Sequence, residues 1–407
     1  MMDLDNARAT LLAAVTPLAG TEGVALEHAH GRILAEDVHA RTPVPPFANA
    51  AMDGYAVHSA DTRLAQGQSL RLIDRSLAGT PARRTLEAGT TIRIFTGAAL
   101  PAGADAVIAQ EDAEVLEDGS IRFSAGTTAG RFVRHTGGDV DRGTPIARAG
   151  SRLTAARLGL LAAAGVDRID ARPRPRVALI TTGDELRSPG DALAHGEIHD
   201  AVRVLLPALF SSLPIDVGPV LHARDTPQAI ADRLSVALRQ ADAIVTVGGV
   251  SVGEADFVRD HLAASGQLAF WRLALKPGKP FTFGHLENRP FFGLPGNPVS
   301  AFVTAQLLVL PGLMRLAGMA VHAPRRLRAR LLSPVRKTPG RRDFQRGRLD
   351  WQADGALGVE AFDRQDSHVL STLAEADCLI DLPREAGDLA AGEAVQVLPL
   401  PNALDLP

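Results

Sequence analysis

The feature that most constrains the fold of this chain is a regular alternation of apolar strands and helices between residues 177 and 316. Strands are predicted at 177–181, 215–221 and 243–247, each followed by a loop and a helix. Parallel strands need long crossovers, and helical crossovers cover both faces of a sheet. The pattern therefore predicts a multidomain α/β protein with a central parallel sheet. The other elements expected here are helices at 202–213, 227–239, about 256–264 and 298–316, and strands near 268–275, 280–283 and 290–293.

The segments on either side of this region have the composition of smaller domains. Residues 4–16 are predicted to form an amphipathic helix, and short apolar runs with Gly, Pro and Asp turns before 148 and after 324 predict β structure. A chain of 407 residues also exceeds what one core supports. We predict an N-terminal helical and extended domain (1–45 and 142–171), an inserted mostly-β module (46–141), an α/β domain (172–322) and a small C-terminal β-barrel domain (323–407).

Composition argues against several classes of function. The net charge is −3, which gives no general attraction to nucleic acid, and no apolar run approaches the roughly 20 residues of a membrane span. The N-terminus has acids where a secretory signal has basic residues, and the single cysteine, Cys378, excludes an internal disulfide. We therefore expect a cytoplasmic protein that crosses no membrane.

Basic residues are distributed unevenly along the chain. Residues 325–348 contain ten basic residues and one acid, a balance of +9, and we rank a solvated face of strands above nucleic-acid binding, with a role at an anionic small-molecule site left open. Only three of the 43 basic residues are lysines, and two of them, Lys276 and Lys279, lie in one Lys-Pro-Gly-Lys-Pro stretch. This favours a specific need for compact ammonium groups.

Acidic residues follow three strands of the predicted sheet. Asp184 and Glu185 follow the first strand, Asp225 the second, and Asp256 the third. Taken singly, Asp184, Asp225 and Asp256 are best explained as residues at helix caps, helix starts or first turns. Together at one sheet edge they would repel each other unless a cation lay among them, and Mg²⁺ prefers oxygen ligands of this type.

Glycines and helix starts lie beside these acids. Gly248, Gly249 and Gly253 permit close backbone approach, and 294–298 predicts a further helix start with Asn297 as N-cap and Pro298 at the first helical position. Free amides at such turns bind phosphate. With the two lysines, the edge is equipped for a phosphorylated ligand and a divalent metal.

Two other site classes are less well supported. The stretch 249–253 fits the Gly-x-Ser-x-Gly pattern of serine hydrolases, but Gly253 is a poor first-turn residue and no downstream histidine is marked as a base. We therefore interpret Ser251 as a loop residue that contacts ligand. The chain has no CxxC or HExxH, so zinc is not expected.

Several motifs in order resemble those of the molybdopterin molybdenumtransferase family, to which the gephyrin E domain belongs. They extend over nearly the whole chain and comprise residues 46–56, 95–98, 181–186, 248–256, 276–280, 294–300, 340–347 and 367–368. The resemblance implies an elongated homodimer of four-domain subunits. It also implies that molybdate is inserted into adenylated molybdopterin with Mg²⁺ and that AMP is released, with other molybdenum cofactor synthesis proteins as further partners.

The resemblance also implies roles for individual residues. It assigns catalysis to Asp53, Asp225, Asp256, Lys276 and Lys279, and metal binding to Asp184, Glu185, Asp225 and Asp256. It assigns substrate or cofactor contacts to Tyr55, Thr96, Thr182, Gly183, Gly248, Gly249, Ser251, Gly253, Pro295, Asn297, Pro298 and Ser367. In the family, the motif around Asp53 completes the active site across the dimer.

Three departures leave a second hypothesis open. Ala201-Val202 stands where the family has a small hydroxyl residue and asparagine, Gly138 where it has glutamate, and Asp366 where it has glycine. The first hypothesis is a working molybdenum-inserting transferase. The alternative is a paralogue that binds molybdopterin as a carrier or scaffold without full catalysis.

Overall fold

The central sheet lies in the middle third of the chain. The computed structural model describes residues 1–63, 69–248 and 266–400. The strands of this region are β13 (Arg176–Thr182), β14 (Leu186–Arg187), β15 (Ile198–His199), β16 (Asp216–Val217), β17 (Leu221–Ala223), β18 (Ala243–Val247), β19 (Gly266–Arg272), β20 (Leu275–Lys276), β21 (Pro280–Leu286) and β22 (Arg289–Leu294). Seven of them form one sheet in the order β16-β13-β18-β22-β21-β19, with β17 also paired to β13. Of the three remaining strands, β14 and β15 pair with each other, and β20 joins a different sheet.

The sheet is parallel on one side and antiparallel on the other. Strands β16, β17, β13, β18 and β22 are parallel, as predicted, whereas β19, β21 and β22 pair antiparallel. The turn between β21 and β22 is too short for a parallel crossover, so these strands form a hairpin. The strand predicted at 215–221 is instead two short strands separated by residues 218–220, which include Gly218 and Pro219.

Helices cover both faces of the sheet, as the alternation predicts. They are α4 (Val202–Phe210), α5 (Pro227–Gln240) and α6 (Pro298–Leu316). Thr226 caps α5 by accepting a hydrogen bond from the Ala229 amide at 3.3 Å, and Pro227 occupies its first turn. Leu206 and Val299 pack with Leu179 on one face, whereas Leu234 packs with Ile180 on the other.

Helix α6 is apolar along most of its length. By length and composition it could span a membrane, but 83% of its most apolar window is buried, as expected of a core helix. Residues 305–309 form a π-helical turn just before Pro311. The proline ring would clash with a carbonyl one turn earlier, so a wider turn is a reasonable local accommodation.

The N-terminal part contains one long helix and a six-stranded sheet. Helix α1 (Leu4–Ala14) buries Leu4, Ala7 and Leu11 in the same apolar cluster as α6. The six-stranded sheet has the order β7-β4-β6-β5-β9-β8. The strands here are β1 (Glu22–Ala25), β2 (Val38–His39), β3 (Asn49–Ala50), β4 (Gly54–Val57), β5 (Ser69–Ser76), β6 (Thr90–Ile94), β7 (Ala106–Ala109), β8 (Ala113–Val115), β9 (Ser120–Phe123), β10 (Val133–Arg134), β11 (Pro145–Ala147) and β12 (Arg168–Ala171), and the helices are α2 (Ser59–Arg63) and α3 (Ala155–Ala163).

The C-terminal part is a closed five-stranded barrel. Its strands are β23 (Leu327–Leu331), β24 (Arg342–Trp351), β25 (Leu357–Ala361), β26 (Cys378–Leu382) and β27 (Ala394–Pro399), with the short helix α7 (Leu370–Ala374). The order is β24-β25-β23-β27-β26, and β26 pairs again with β24, which closes the barrel. The two-residue strand β20 pairs parallel to β24, so the lysine stretch joins the barrel rather than the central sheet.

Candidate active site

The carboxyl edge of the parallel strands forms one wall of a cavity of about 430 Å³. Thr181 and Thr182 end β13, and Val247 and Gly248 end the neighbouring strand β18; all four line the cavity. The turn 295–298 after β22 and the segment 198–202 before α4 enclose it further. Predicted contact residues Thr182, Gly248, Pro295, Asn297 and Pro298 therefore lie together. Gly183 is buried immediately beyond them, at the end of β13.

Gly248 allows the strand ends to approach closely. Its φ is +88°, a conformation that side chains rarely adopt. A Cβ atom at this position would lie 2.6 Å from Thr182 Oγ1 and 2.7 Å from the Thr182 carbonyl oxygen. The predicted need for glycine at 248 therefore has a direct steric cause.

Three predicted carboxylates lie at this edge but in different settings. Asp184 accepts hydrogen bonds from Arg224 Nε at 3.2 Å and from the Asp225 amide at 3.4 Å, and Asp225 accepts one from the Asp184 amide at 3.4 Å. This reciprocal pair fixes the two loops against each other. Glu185 and Asp225 line the cavity, whereas the Asp184 carboxylate is held by a cation of the protein. Within the described ranges, no group of three or more acids, histidines or cysteines is placed to hold a metal by itself.

A second cavity of about 540 Å³ lies next to the first, between the sheet edge and the barrel. Pro280, Pro295 and Asn297 line both cavities. Asn297 Nδ2 donates to Ser367 Oγ at 3.1 Å, which ties the turn before α6 to the barrel. Lys276, Lys279 and Ser367 line this second cavity, with Arg341, Asp363 and Asp366 also present. The structure thus brings the predicted lysines and the predicted Asn297 and Ser367 together.

Asp343 forms an ion pair with Lys276, which lines the second cavity. The register of β20 on β24 pairs Lys276 with Asp343, and Lys276 Nζ lies 3.2 Å from Asp343 Oδ2. The Asp343 side chain is 5% exposed and the Lys276 side chain is 45% exposed. Gln345 Nε2 also donates to Asp343 at 3.3 Å, and nearby Lys337 is buried and donates to the carbonyls of 384 and 386.

The basic segment 325–348 is not simply a solvated face. Arg346 is fully buried, and its guanidinium donates to the carbonyls of Arg364, Gln365 and Asp366. Burial lowers the pKa of this side chain. Arg346 thus braces the loop that carries Ser367 to the second cavity. Charge alone does not reveal this role, because the sequence does not mark which arginine of the run faces inward.

Asp53 and Thr96 contact each other in the β module. Asp53 Oδ1 accepts hydrogen bonds from the Thr96 hydroxyl at 2.7 Å and the Thr96 amide at 2.8 Å. These bonds hold the pKa of Asp53 below its usual range. The residues that line the two cavities all lie between 181 and 367, so Asp53 does not line either cavity in the single chain.

Tyr55 is a core residue of the same module. Its ring is 7% exposed, packs edge to face on Phe123 with centroids 5.8 Å apart, and has the Arg93 guanidinium 4.9 Å above it. A contact of Tyr55 with the cofactor stays a prediction. The remaining predicted residues Gly249, Ser251, Gly253 and Asp256, and the helix predicted at about 256–264, lie outside the described residues.

The fold and site define a class of protein. An α/β domain binds small ligands at the carboxyl edge of its strands, and here lysines and a barrel loop extend that edge into a second, polar cavity. Three family models match in sequence: the MoeA N-terminal region (domain I and II) at 2–165, a probable molybdopterin binding domain at 178–315, and the MoeA C-terminal region (domain IV) at 328–400. The chain belongs to the molybdopterin molybdenumtransferase family, as its motifs predict.

Individual relatives agree over almost the full length. The chain is 39% identical to the molybdopterin molybdenumtransferase of Haemophilus influenzae, covering 99% of this chain and 100% of the relative, and 36% identical to molybdopterin molybdenumtransferase 2 of Mycobacterium tuberculosis, covering 92% and 94%. A crystal structure of a molybdopterin biosynthesis MoeA protein from Pyrococcus horikoshii has a TM-score of 0.82 and 31% identity, covering 98% of this chain and 99% of that one. The predicted family, fold class and enzyme class are confirmed.

Proposed function

We propose that this chain inserts molybdenum from molybdate into adenylated molybdopterin and releases AMP, the last step of molybdenum cofactor biosynthesis. The observation that carries the proposal is the pair of adjoining cavities, which share the turn before α6. One offers glycine-lined strand ends and carboxylates, and the other offers two lysines. The relatives named molybdopterin molybdenumtransferase support the same reaction.

The second cavity suits the oxyanion. Lys276 and Lys279 present ammonium groups, Arg341 a guanidinium, and Ser367 a hydroxyl to the same space. Such donors bind tetrahedral oxyanions through charge-assisted hydrogen bonds. Asp366 adds a carboxylate there, which weakens the net attraction for an anion but leaves the donors in place. In this assignment the lysines hold molybdate while the first cavity holds the organic part of the substrate.

The described carboxylates fit Mg²⁺ in one coordination mode. Mg²⁺ is usually held by one or two carboxylates together with substrate phosphates and water. Glu185 and Asp225 line the cavity and supply that number, whereas Asp184 is paired with Arg224. We propose that Glu185 and Asp225, with Asp256, hold Mg²⁺ and that Asp184 fixes the Asp225 loop. The ion would neutralise phosphate charge on the nucleotide.

A homodimer would complete the site. Asp53 is ionised and held in place by Thr96, yet it lies outside the lining of both cavities of its own chain. A second copy that brings its β module to the sheet edge would place Asp53 near the substrate. The domain boundaries given above, a cytoplasmic location and contacts with other cofactor-synthesis proteins complete the proposal. A single buried thiol is consistent with a reducing compartment.

AMP release tests the reaction. Purified protein is mixed with adenylated molybdopterin, Mg²⁺ and molybdate, and AMP is measured over time. Release that depends on molybdate and is lost in Asp53→Ala and Asp256→Ala supports the transferase. Asp232→Asn, on the exposed face of α5, is the matched control and is expected to keep full activity. If the nucleotide binds but stays intact, the protein is a carrier or scaffold.

Mixing two inactive variants tests the shared site. If Asp53 acts across a dimer, then combining Asp53→Ala with Lys276→Ala restores one intact site in each mixed dimer. Random exchange of subunits then gives about a quarter of wild-type activity. Activity that stays at zero after verified subunit exchange contradicts the shared site, although it leaves the reaction itself intact.

A further inference from the structure

Three residues that line the first cavity, Thr181, Thr182 and Asp200, have a buried side-chain oxygen without a hydrogen-bond partner among the described residues. Asp200 is 3% exposed and Thr181 is 1% exposed, and both line this cavity. Asp200 Oδ2 and Thr181 Oγ1 have no hydrogen-bond partner in the part of the chain that the structure describes. Thr181 lies within the motif 181–186, but neither Thr181 nor Asp200 is among the site residues that the resemblance implies. Buried polar groups nearly always have a hydrogen-bond partner, so unpartnered oxygens beside a cavity need an explanation.

Asp200 has its two carboxylate oxygens in different roles. Oδ1 accepts a hydrogen bond from the Arg203 amide at 3.0 Å, which caps the start of α4 and fixes the side chain. The Arg203 guanidinium is turned elsewhere, to Ser188 Oγ at 3.2 Å and the carbonyl of Val220 at 3.5 Å. The oriented Oδ2 therefore remains as a buried acceptor at the cavity wall.

The two residues after Asp200 contribute only apolar side chains to this end of the cavity. Ala201 and Val202 line the cavity without polar side-chain atoms, so Asp200 is the polar residue that the segment 200–202 contributes to its lining. A buried carboxylate requires N–H donors, because leaving it unpaired costs more than a hydrogen bond contributes. An oxyanion would be repelled here, which separates this wall from the lysine cavity.

We infer that Asp200 and Thr181 form a subsite that recognises an amino-substituted pyrimidine edge of the substrate, with Asp200 Oδ2 accepting from its N–H groups. This inference rests on the proposed function, which supplies a ligand with two such edges: that of the pterin and that of the adenine. The Thr181 hydroxyl, which can donate or accept, serves the adjacent heteroatom. The subsite selects the heterocycle and takes no part in the chemistry of molybdate.

Binding ratios test the subsite without turnover. The affinity of full-length protein is measured by calorimetry for pterin and for lumazine, in which a carbonyl replaces the amino group, and likewise for AMP and IMP. Asp200→Asn keeps the shape and the acceptor for α4 but places an N–H₂ where Oδ2 stood. We expect the preference for the amino ligand to fall about tenfold in one of the two pairs. A ratio taken within one variant is insensitive to partial loss of folded protein.

A second pair of variants controls for the buried hydroxyl. Thr181→Val is expected to weaken binding of the amino ligand whose preference falls in Asp200→Asn. Thr246→Val is expected to leave the affinity for that ligand unchanged. Thr246 is equally buried and its hydroxyl has no partner among the described residues, but it does not line the cavity. A fall in the preference for pterin over lumazine assigns the subsite to the pterin. A fall in the preference for AMP over IMP assigns it to adenine.

Failure of the inferred subsite can be distinguished from failure of the proposed function. If both ratios stay unchanged in Asp200→Asn, or if Thr246→Val acts like Thr181→Val, the inference is wrong while ligand binding and the proposed function stand. If wild-type protein binds none of these ligands and releases no AMP from the complete substrate, the proposed function itself fails.

Discussion

Gly248→Ala is expected to destabilise the sheet edge and to reduce activity. An alanine at this positive φ costs about 1–2 kcal/mol in backbone energy. The new Cβ would also lie 2.6 and 2.7 Å from two oxygens of Thr182, one of them a backbone carbonyl that cannot rotate away. Relief of such overpacking costs roughly 1–3 kcal/mol more. Because Thr182 and Gly248 line the first cavity, the same movement displaces ligand contacts.

Gly196→Ala separates the backbone cost of alanine at positive φ from the cost of steric overlap. Gly196 lies in the same region, has a φ of +91°, and a Cβ there would meet nothing within 4 Å. Its alanine variant therefore carries the backbone cost alone. The free energy of unfolding of Gly248→Ala should be lower than that of Gly196→Ala by about 1–3 kcal/mol.

Thermal unfolding and AMP release measure the two effects. For domains of 150–250 residues each kcal/mol lowers the unfolding temperature by about 2–4 °C, so the variants should differ clearly in parallel scans. A displacement of about 1 Å at a ligand site can reduce the rate up to about a hundredfold, and we expect AMP release to fall 10- to 100-fold in Gly248→Ala only. Equal unfolding temperatures and equal activities in the two variants would refute the steric argument.

Three further outcomes are expected. Asp343→Asn removes the charge that holds Lys276. In AMP-release kinetics the KM for molybdate should therefore rise about tenfold, with a smaller change in kcat. An unchanged KM would count against a role of this contact in binding molybdate. Ser367→Ala removes the hydroxyl that accepts a hydrogen bond from Asn297, so AMP release should fall several-fold. Ser367→Thr keeps a hydroxyl and should retain more activity. Equal loss in both variants would contradict a role of this hydrogen bond in activity. Burial raises the pKa of Cys378 to about 12, so iodoacetamide at pH 8 should label it in urea but not in the native protein, as mass spectrometry would detect.

The central domain was the part most accessible from sequence. Apolar runs such as 177–181 and 243–247 form neighbouring parallel strands because their crossovers leave room for α4 and α5. The antiparallel hairpin of β21 and β22 was missed in the assignment of a parallel sheet, although the short connection between them contains the signal. Turn length decided strand direction there, and apolar periodicity carries no information about direction.

Site residues were accessible where local backbone chemistry dictates the residue type. Gly248 and Asn297 could be found because a turn or close approach at a strand end restricts what fits. Asp200 and Arg346 could not, because their importance comes from burial against segments distant in sequence. An acid before a helix is normally interpreted as a cap, and Asp200 is a cap through one oxygen. Only the structure reveals that the residue lines a cavity and that its other oxygen is buried without a partner among the described residues.

The position of Lys276 illustrates why fold and site are inseparable in this chain. After Arg272 the chain leaves the central sheet, and two residues, Leu275 and Lys276, become a strand of the barrel through pairing with β24. Lys276 is thereby set by Asp343, 67 residues further along the chain, while Lys279 and Pro280 return to the sheet edge. The barrel therefore positions one lysine and the sheet positions the residues after it, so movement of the barrel relative to the sheet would change the spacing of the two ammonium groups. The second cavity depends on the docking of two domains, and no motif within either domain could define it alone.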